Sequence, residues 1–205
     1  MYDIADFDNP FEAIDRFETK LARYTGAMFV VATDCCTHAI ELCLRFDEPD
    51  CVILPTNTYL SVPMTMHKLG IPYQFEVRSW TTEYLIGGTT VVDAARNFVP
   101  GMMEETPTLD RCLSFGYGKP LEIGRGGAIL TNNPDLFLWA KRATFDGRDT
   151  AFIPWEKQKT FNVGYHYRML PEEAIIGLNK LEQGDIGPSV PGNYPDLRGL
   201  AISAN

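Results

Sequence analysis

The sequence is short of positive charge. Its 205 residues carry 18 lysines and arginines against 27 aspartates and glutamates, a net charge of −9. No basic cluster offsets that balance, which argues against a nucleic-acid-binding surface. No apolar run approaches membrane-spanning length. The acidic start, Met1 to Pro10, lacks the charged and apolar regions of a signal peptide. The five cysteines (Cys35, Cys36, Cys43, Cys51, Cys112) are odd in number and form no Cys-x-x-Cys pair, which speaks against zinc or any other metal site and against a disulfide framework. They read as buried thiols in a reducing cytoplasm. No internal repeat is visible. What remains is an ordinary soluble composition, 45% hydrophobic and 22% charged, long enough to bury one real core.

The most informative stretch is Leu113 to Gly127. The apolar run from Cys112 to Phe115 reads as a strand end, and Gly126-Gly127 leads into a second run, Ala128 to Leu130. Between them a single lysine, Lys119, is held on glycine-rich backbone, a setting suited to a nucleophile rather than a solvated surface charge. That points to a Schiff base between Lys119 and pyridoxal phosphate (PLP).

The rest of the chain supplies candidate parts for such a site. Asn9-Pro10-Phe11-Glu12 predicts a capped helix start, and Phe11, Ile14, Phe17, Leu21 and Tyr24 fall on one face, with Gly26 at its end. Met28 to Ala32 predicts a buried strand. The turn Thr33 to Thr37 then feeds a helix from His38 to Phe46, and a helix N-terminus beyond a strand is a natural phosphate site. An ordinary turn with Thr37 as N-cap is the plainer alternative. Cys51 to Leu54 predicts a strand, followed by Tyr59 and a helix to Leu69. Tyr59 would lie beyond a strand's carboxyl end, where open α/β sheets bind ligands, or serve as a core aromatic. Pro72 to Val77 predicts a strand, while Arg78 to Gly88 is a loop or a strand with a turn. Thr89 to Asp93 predicts a strand ending on a carboxylate that can pair with a ring nitrogen, or cap a helix from Ala94 to Phe98. Pro100 to Asp110 reads as a polar loop. Helices are expected from Asn133-Pro134 to near Gly147 and over Pro171 to Gln183, with Ala151 to Phe161 aperiodic between them. The Gly- and Pro-rich tail from Gly184 reads as extended or disordered.

Five segments in order give the chain a resemblance to the DegT/StrS-type sugar aminotransferases, PLP enzymes of fold type I. Cys35 to Ile40 resembles the family's Ser-Gly-Thr-x-Ala-Leu phosphate turn. Pro55 to Tyr59 resembles the segment whose aromatic residue stacks on the cofactor. Val92 to Arg96 is similar to Glu-Asp-Ala-Ala-His/Gln. Ser114 to Lys119 with Gly126-Gly127 resembles the Ser-Phe-x-x-x-Lys element. Gly164 to Met169 resembles Gly-x-Asn-Tyr-Arg-Met. The resemblance runs from about Phe11 to Leu181. It implies an α/β fold, a three-layer α/β/α arrangement around a mostly parallel sheet, with residues 1–183 as the PLP-binding domain and 184–205 as a tail.

The resemblance also implies roles. Lys119 would hold PLP and shuttle the proton. Asp93 would pair with the pyridinium nitrogen, Tyr59 would stack on the ring, and Arg96 stands where a residue contacts the phenolic oxygen. The amides of Cys36 and Thr37, with the Ser114 hydroxyl, would hold the phosphate. His166 replaces an asparagine that reaches the phosphate of the partner subunit in a homodimer. Cys36 replaces a glycine of the phosphate turn, and Arg125 replaces a glutamate before Gly-Gly. The span from Val77 to Val91 is too short for the usual strand-helix unit, and no sequence after Leu181 matches the small C-terminal domain. Two functions follow. The first is a cytoplasmic aminotransferase that moves an amino group from glutamate or glutamine to a keto group on a nucleotide-linked sugar. The second is a catalytically silent homologue that keeps the fold for PLP binding or assembly. The related dehydratases carry histidine in place of the lysine, so Lys119 disfavours them.

Overall fold

The computed structural model describes residues 1–149 and 154–200. Among these are seven strands and five α-helices. They are α1 (Glu12–Thr25), β1 (Phe29–Thr33), α2 (Cys36–Asp47), β2 (Val52–Pro55), α3 (Ser61–Leu69), β3 (Tyr73–Glu76), β4 (Tyr84–Leu85), β5 (Val91–Asp93), β6 (Asp110–Ser114), β7 (Gly127–Thr131), α4 (Pro134–Ala143) and α5 (Pro171–Gln183).

The main sheet has the order β1-β7-β6-β5-β4, and β2-β3 form a separate parallel pair. A single bridge between Ile53 and Gly87 joins the two. β5 and β6 pair in parallel, whereas β1–β7, β6–β7 and β4–β5 pair antiparallel. The sheet is therefore mixed by pairing. By direction it keeps the parallel bias expected from sequence: followed across the ladder and the Ile53–Gly87 bridge, only β4 and β7 run against the others.

Helices cover both faces. The sheet's alternation divides the core in two, because successive side chains of a strand point to opposite faces. Val30, Ala32, Leu113, Ala128 and Leu130 pack with α1 and α5 around Phe17 and Phe115. Val31, Val91, Cys112 and Ile129 pack with α2, α3 and α4 around Leu42 and Met66. Phe17 and Phe115 meet edge to face at 5.5 Å, and burying a side chain of that size contributes roughly 1.5–3 kcal/mol.

Several local expectations change. α1 begins at Glu12 without a side-chain cap; Asn9 instead closes the turn ahead of it by accepting from the Phe11 amide. The short span after β3 holds no helix, and its chain returns as β4, a two-residue strand. No helix forms over Ala94 to Phe98. Met102 and Met103 of the expected polar loop are buried, under the α1 side of the sheet. The stretch from Ala151 to Phe161 falls partly outside the described residues, as do residues 201–205. The tail from Gly184 to Leu200 is seated on the body, largely without regular structure until a single 3-10 turn at Leu197–Gly199. Its backbone bonds run from Gly187 N–H to the Pro120 carbonyl, Val190 to Arg96, Gly192 to Thr81 and Leu197 to Thr56, and Leu197 is buried.

Candidate active site

The carboxyl ends of β1, β2, β5 and β6 point the same way, so Thr33, Pro55, Asp93 and Ser114 gather at one edge of the sheet. The N-terminus of α2 reaches the same edge, and no side chain caps it. A helix start left uncapped exposes amide dipoles to a ligand there. A cavity of about 410 Å³ opens at this point, within the range of small-molecule sites. Cys36, Thr37, Tyr59, Asp93, Arg96, Ser114 and Lys119 all line it. Sequence reasoning had placed these seven in one site, and folding brings them together from four segments. His166 is elsewhere. Its ring is largely exposed and lies 3.2 Å from Asp146 Oδ1, so it is no part of the cavity of its own chain.

Register explains the position of Asp93. It pairs with Cys112 across the β5–β6 ladder, and Cys112 faces α2. Asp93 is thus buried beneath the α2 N-terminus. Its Oδ1 accepts from the Ala95 amide at 3.0 Å, so a turn takes the place of the expected helix cap. Its Oδ2 accepts from the Tyr84 hydroxyl at 2.8 Å, and Tyr84 in turn meets the Thr58 hydroxyl. Burial pushes the Asp93 carboxyl above the usual range, while the Ala95 amide and Tyr84 pull it back. Burial beside that carboxylate lifts the Tyr84 phenol well above its ordinary value, which keeps it a donor. No cation pairs with Asp93 among the described ion pairs.

Two cations share the cavity with it. Burial holds the Lys119 amine below the ordinary lysine range, and the Arg96 guanidinium adds to the effect. A fall in that pKa raises the fraction of neutral, nucleophilic amine at physiological pH. Arg96 Nε is buried with no hydrogen-bond partner. The Arg96 guanidinium lies 5.6 Å from the Tyr194 ring. Among the described residues, the cavity therefore holds a carboxylate that Lys119 attracts without an ion-pair contact and a guanidinium with no ion pair to an anion. A buried polar group left in that state costs free energy unless a ligand completes it.

The glycine pair and the cysteine of the phosphate turn have plain packing reasons. A Cβ on Gly127 would lie 2.5 Å from the Cys36 nitrogen, so only glycine lets β7 pass so close to the start of α2. Gly126 has φ +116°, in the region that disfavours other residues. The Cys36 side chain is buried and its thiol donates to the Cys112 carbonyl, so it is directed into the sheet. Arg125 lies outside the cavity and pairs with Asp34 Oδ2 at 2.9 Å. Sequence reasoning missed Trp80, Tyr84 and Tyr194. Trp80 and Tyr84 fell in the unassigned span after β3, and Tyr194 fell in the tail; no spacing rule marks any of them.

The donor set fits PLP. It offers an amine for the aldehyde, a buried carboxylate for the ring nitrogen, helix amides with Thr37 and Ser114 for the phosphate, and an unpaired guanidinium for a further oxygen. Thr37 Oγ1 already meets Ser61 Oγ at 2.8 Å, which orients it at the helix start.

Comparison with known proteins agrees. The model of the DegT/DnrJ/EryC1/StrS aminotransferase family matches residues 5–79 and 108–186, more than half of the chain. Asp93 and Arg96 lie in the interval between the matched segments. GDP-perosamine synthase of Caulobacter vibrioides is 25% identical over 84% of this chain and 57% of the relative. The chain thus spans little more than half the length of that protein. Among solved structures, AtS13 from Actinomadura melliaura superposes with a TM-score of 0.69 at 20% identity, over 84% of this chain and 60% of that one. NtdA from Bacillus subtilis, solved with the bound cofactor PMP, gives 0.65 at 18% identity, over 83% and 48%. These likenesses place the fold among the fold type I PLP aminotransferases. The chain belongs to the DegT/DnrJ/EryC1/StrS family, whose members are PLP-dependent aminotransferases.

Proposed function

Proceeding from membership of that family, we propose that this chain is a PLP-dependent aminotransferase acting on a nucleotide-linked keto sugar, with Lys119 as its Schiff-base lysine. The observation that carries the proposal is the shared cavity of a depressed lysine amine, a buried carboxylate lacking a cation and a guanidinium lacking an anion. The name of the Caulobacter relative, GDP-perosamine synthase, supports the sugar. Five free cysteines suit a reducing cytoplasm. His166, exposed and remote from its own cavity, suits contact with the site of a second subunit in a homodimer.

PLP bound here supplies an electron sink for the carbanion formed at the donor's α-carbon. Asp93 keeps that sink effective, because a carboxylate at the ring nitrogen favours its protonated form. Tyr84 and the Ala95 amide hold the carboxylate in place. The α2 amides, Thr37 and Ser114 bind the phosphate and fix the ring's orientation relative to Lys119. The neutral Lys119 Nζ would accept the proton lost from the donor's α-carbon in the first half-reaction and supply the proton gained by the acceptor's carbon in the second. Tyr59, which lines the cavity, would stack on the ring.

Purified protein mixed with PLP should develop a visible absorbance band, and borohydride should fix the cofactor covalently to Lys119. Lys119→Ala should abolish both. An unchanged band in Lys119→Ala removes the lysine assignment, and no band in the unmodified protein removes the PLP site. A band that glutamate and glutamine fail to bleach leaves cofactor binding without transamination.

A further inference from the structure

Two of the stretches outside the family match, within residues 80–107 and 187–197, meet each other over the cavity. The tail crosses its rim in one direction. Gly187 N–H bonds to the carbonyl of Pro120, the residue after Lys119. Ser189 Oγ meets Asn97 Oδ1 at 3.0 Å and accepts from the Phe98 amide at 3.1 Å. Val190 N–H bonds to the Arg96 carbonyl and Gly192 N–H to the Thr81 carbonyl. Tyr194 then stacks on Trp80, with ring centroids 6.0 Å apart and planes 24° apart. It also meets Tyr59 at 5.8 Å, and Leu197 anchors the far end in the interior. Gly192 is a required part of this seat: a Cβ there would lie 2.1 Å from the Trp80 indole, a rigid ring that cannot give way locally.

Tyr194 lines the cavity together with Asp93, Arg96 and Lys119. Burial raises its phenol above the ordinary value, so it presents a neutral O–H to that space. With Tyr194 in position the cavity still measures about 410 Å³, enough for a compact cofactor. A segment that blocked the site would leave no such room.

We propose that the segment from Gly187 to Leu197 is a built-in wall of the cofactor cavity, and that Tyr194 is a ligand-contacting residue of that wall. The segment closes the side of the cavity bounded by Trp80 and Arg96, and its aromatic ring holds the unpaired Arg96 guanidinium toward the ligand. This inference rests on the PLP site proposed above. Of the eight residues assigned to PLP from sequence, seven line this cavity, and Tyr194 adds a contact from the tail.

The test is a PLP titration of the full chain, followed by visible absorbance, with borohydride fixation at saturation. Tyr194→Ala removes the ring. Gly192→Val unseats the segment against Trp80 without touching the ligand. Both should weaken PLP binding roughly tenfold, the scale of one lost aromatic contact. Tyr194→Phe should retain most of the affinity, and all three should still fix PLP on Lys119 when saturated. Far-UV circular dichroism checks that the variants fold. Unchanged affinity in both Tyr194→Ala and Gly192→Val overturns the inference while leaving the PLP site intact. Tighter binding also overturns it and makes the segment a plug. A failure of the PLP site itself is distinct from either, since the unmodified protein would then show no band.

Discussion

Glu41 on α2 and Asp93 beneath the start of that helix are both buried carboxylates, and their surroundings differ in one respect. Glu41 is fully buried and every side chain it meets completes it. Arg45 lies 2.8 Å from one oxygen and Lys68 2.6 Å from the other, and the Tyr167 hydroxyl donates at 3.2 Å. Burial pushes its carboxyl up, but Lys68 and Arg45 outweigh that and hold it below the usual range. Asp93 receives two neutral donors and no cation, and burial wins. The nearby cations, Arg96 and Lys119, stay unpaired. A completed cluster stabilises the fold. An incomplete one costs stability in the free protein and is retained where a ligand supplies the missing charges. On the proposed function, that difference separates a structural carboxylate from a ligand-binding one even though both are buried.

Four measurements bear on this contrast. Asp93→Asn should slow the glutamate half-reaction on the order of 100-fold, the scale of a lost electrostatic group in a closed site; stopped-flow bleaching of the PLP band reads it. A half-reaction at the unmodified rate would place the ring nitrogen elsewhere. Glu41→Gln should cost about 2 kcal/mol, since it strands Lys68 and Arg45. Thermal unfolding should then drop by roughly 4–8 °C, with the PLP band retained. An unaltered Tm would mean that the paired cluster contributes nothing to the fold.

A third measurement concerns the pair at the N-terminus of α2. His38 Nδ1 lies 2.7 Å from Asp34 Oδ1, and its ring stacks on Tyr167 at 3.6 Å. Burial works against the charged ring, but Asp34 and the adjoining Cys35 outweigh it and push His38 from 6.5 up to about 9. The sign follows from linkage. A folded-state value above the unfolded one gives stability that is complete below pH 6.5 and is lost as pH rises through about 9. Asp34, with burial overcome by His38 and Arg125, lies below its ordinary 3.8, so its share needs a pH above that value. Stability from this pair should peak between those limits and fall by about 1 kcal/mol toward pH 9, the ring being partly exposed and screened. Urea unfolding of wild type and His38→Asn across pH 6 to 9.5 tests it: the variant should lose the slope.

The smallest effect should be the ligand-free stability of Asp93→Asn. Because burial raises the Asp93 carboxyl, the ionised form costs stability as pH rises above the unfolded value of 3.8. Replacing it should leave the ligand-free Tm at pH 7.5 unchanged or raise it by about 1–2 °C, opposite in direction to Glu41→Gln. A clear loss would make Asp93 a structural carboxylate like Glu41.

Much of the fold was legible because periodicity reports burial directly. Pro171 to Gln183 was predicted and observed with the same ends, and the runs around Val30, Leu113 and Ile129 are strands. β4 was not legible, since two residues carry no period. Met102 and Met103 were misread as a polar loop because acidic neighbours masked two buried side chains. The helix over Ala94 to Phe98 failed because the Asp93 carboxylate, which would have capped it, is divided between a turn amide and Tyr84.

The sequence by itself determined the segments that meet at the cavity and the family they belong to. Local order is enough for that: a lysine on a glycine-rich turn, an aspartate ending a strand, and a turn opening a helix are each written in consecutive residues. Only the tertiary structure decided which charges are completed and what encloses them. The pairing of Asp93 with Tyr84, the unpaired Arg96 and the passage of Tyr194 over the cavity depend on residues from 9 to 135 positions away. Electrostatics and packing act through space, and a tail without periodicity acquires its position from the surface it crosses.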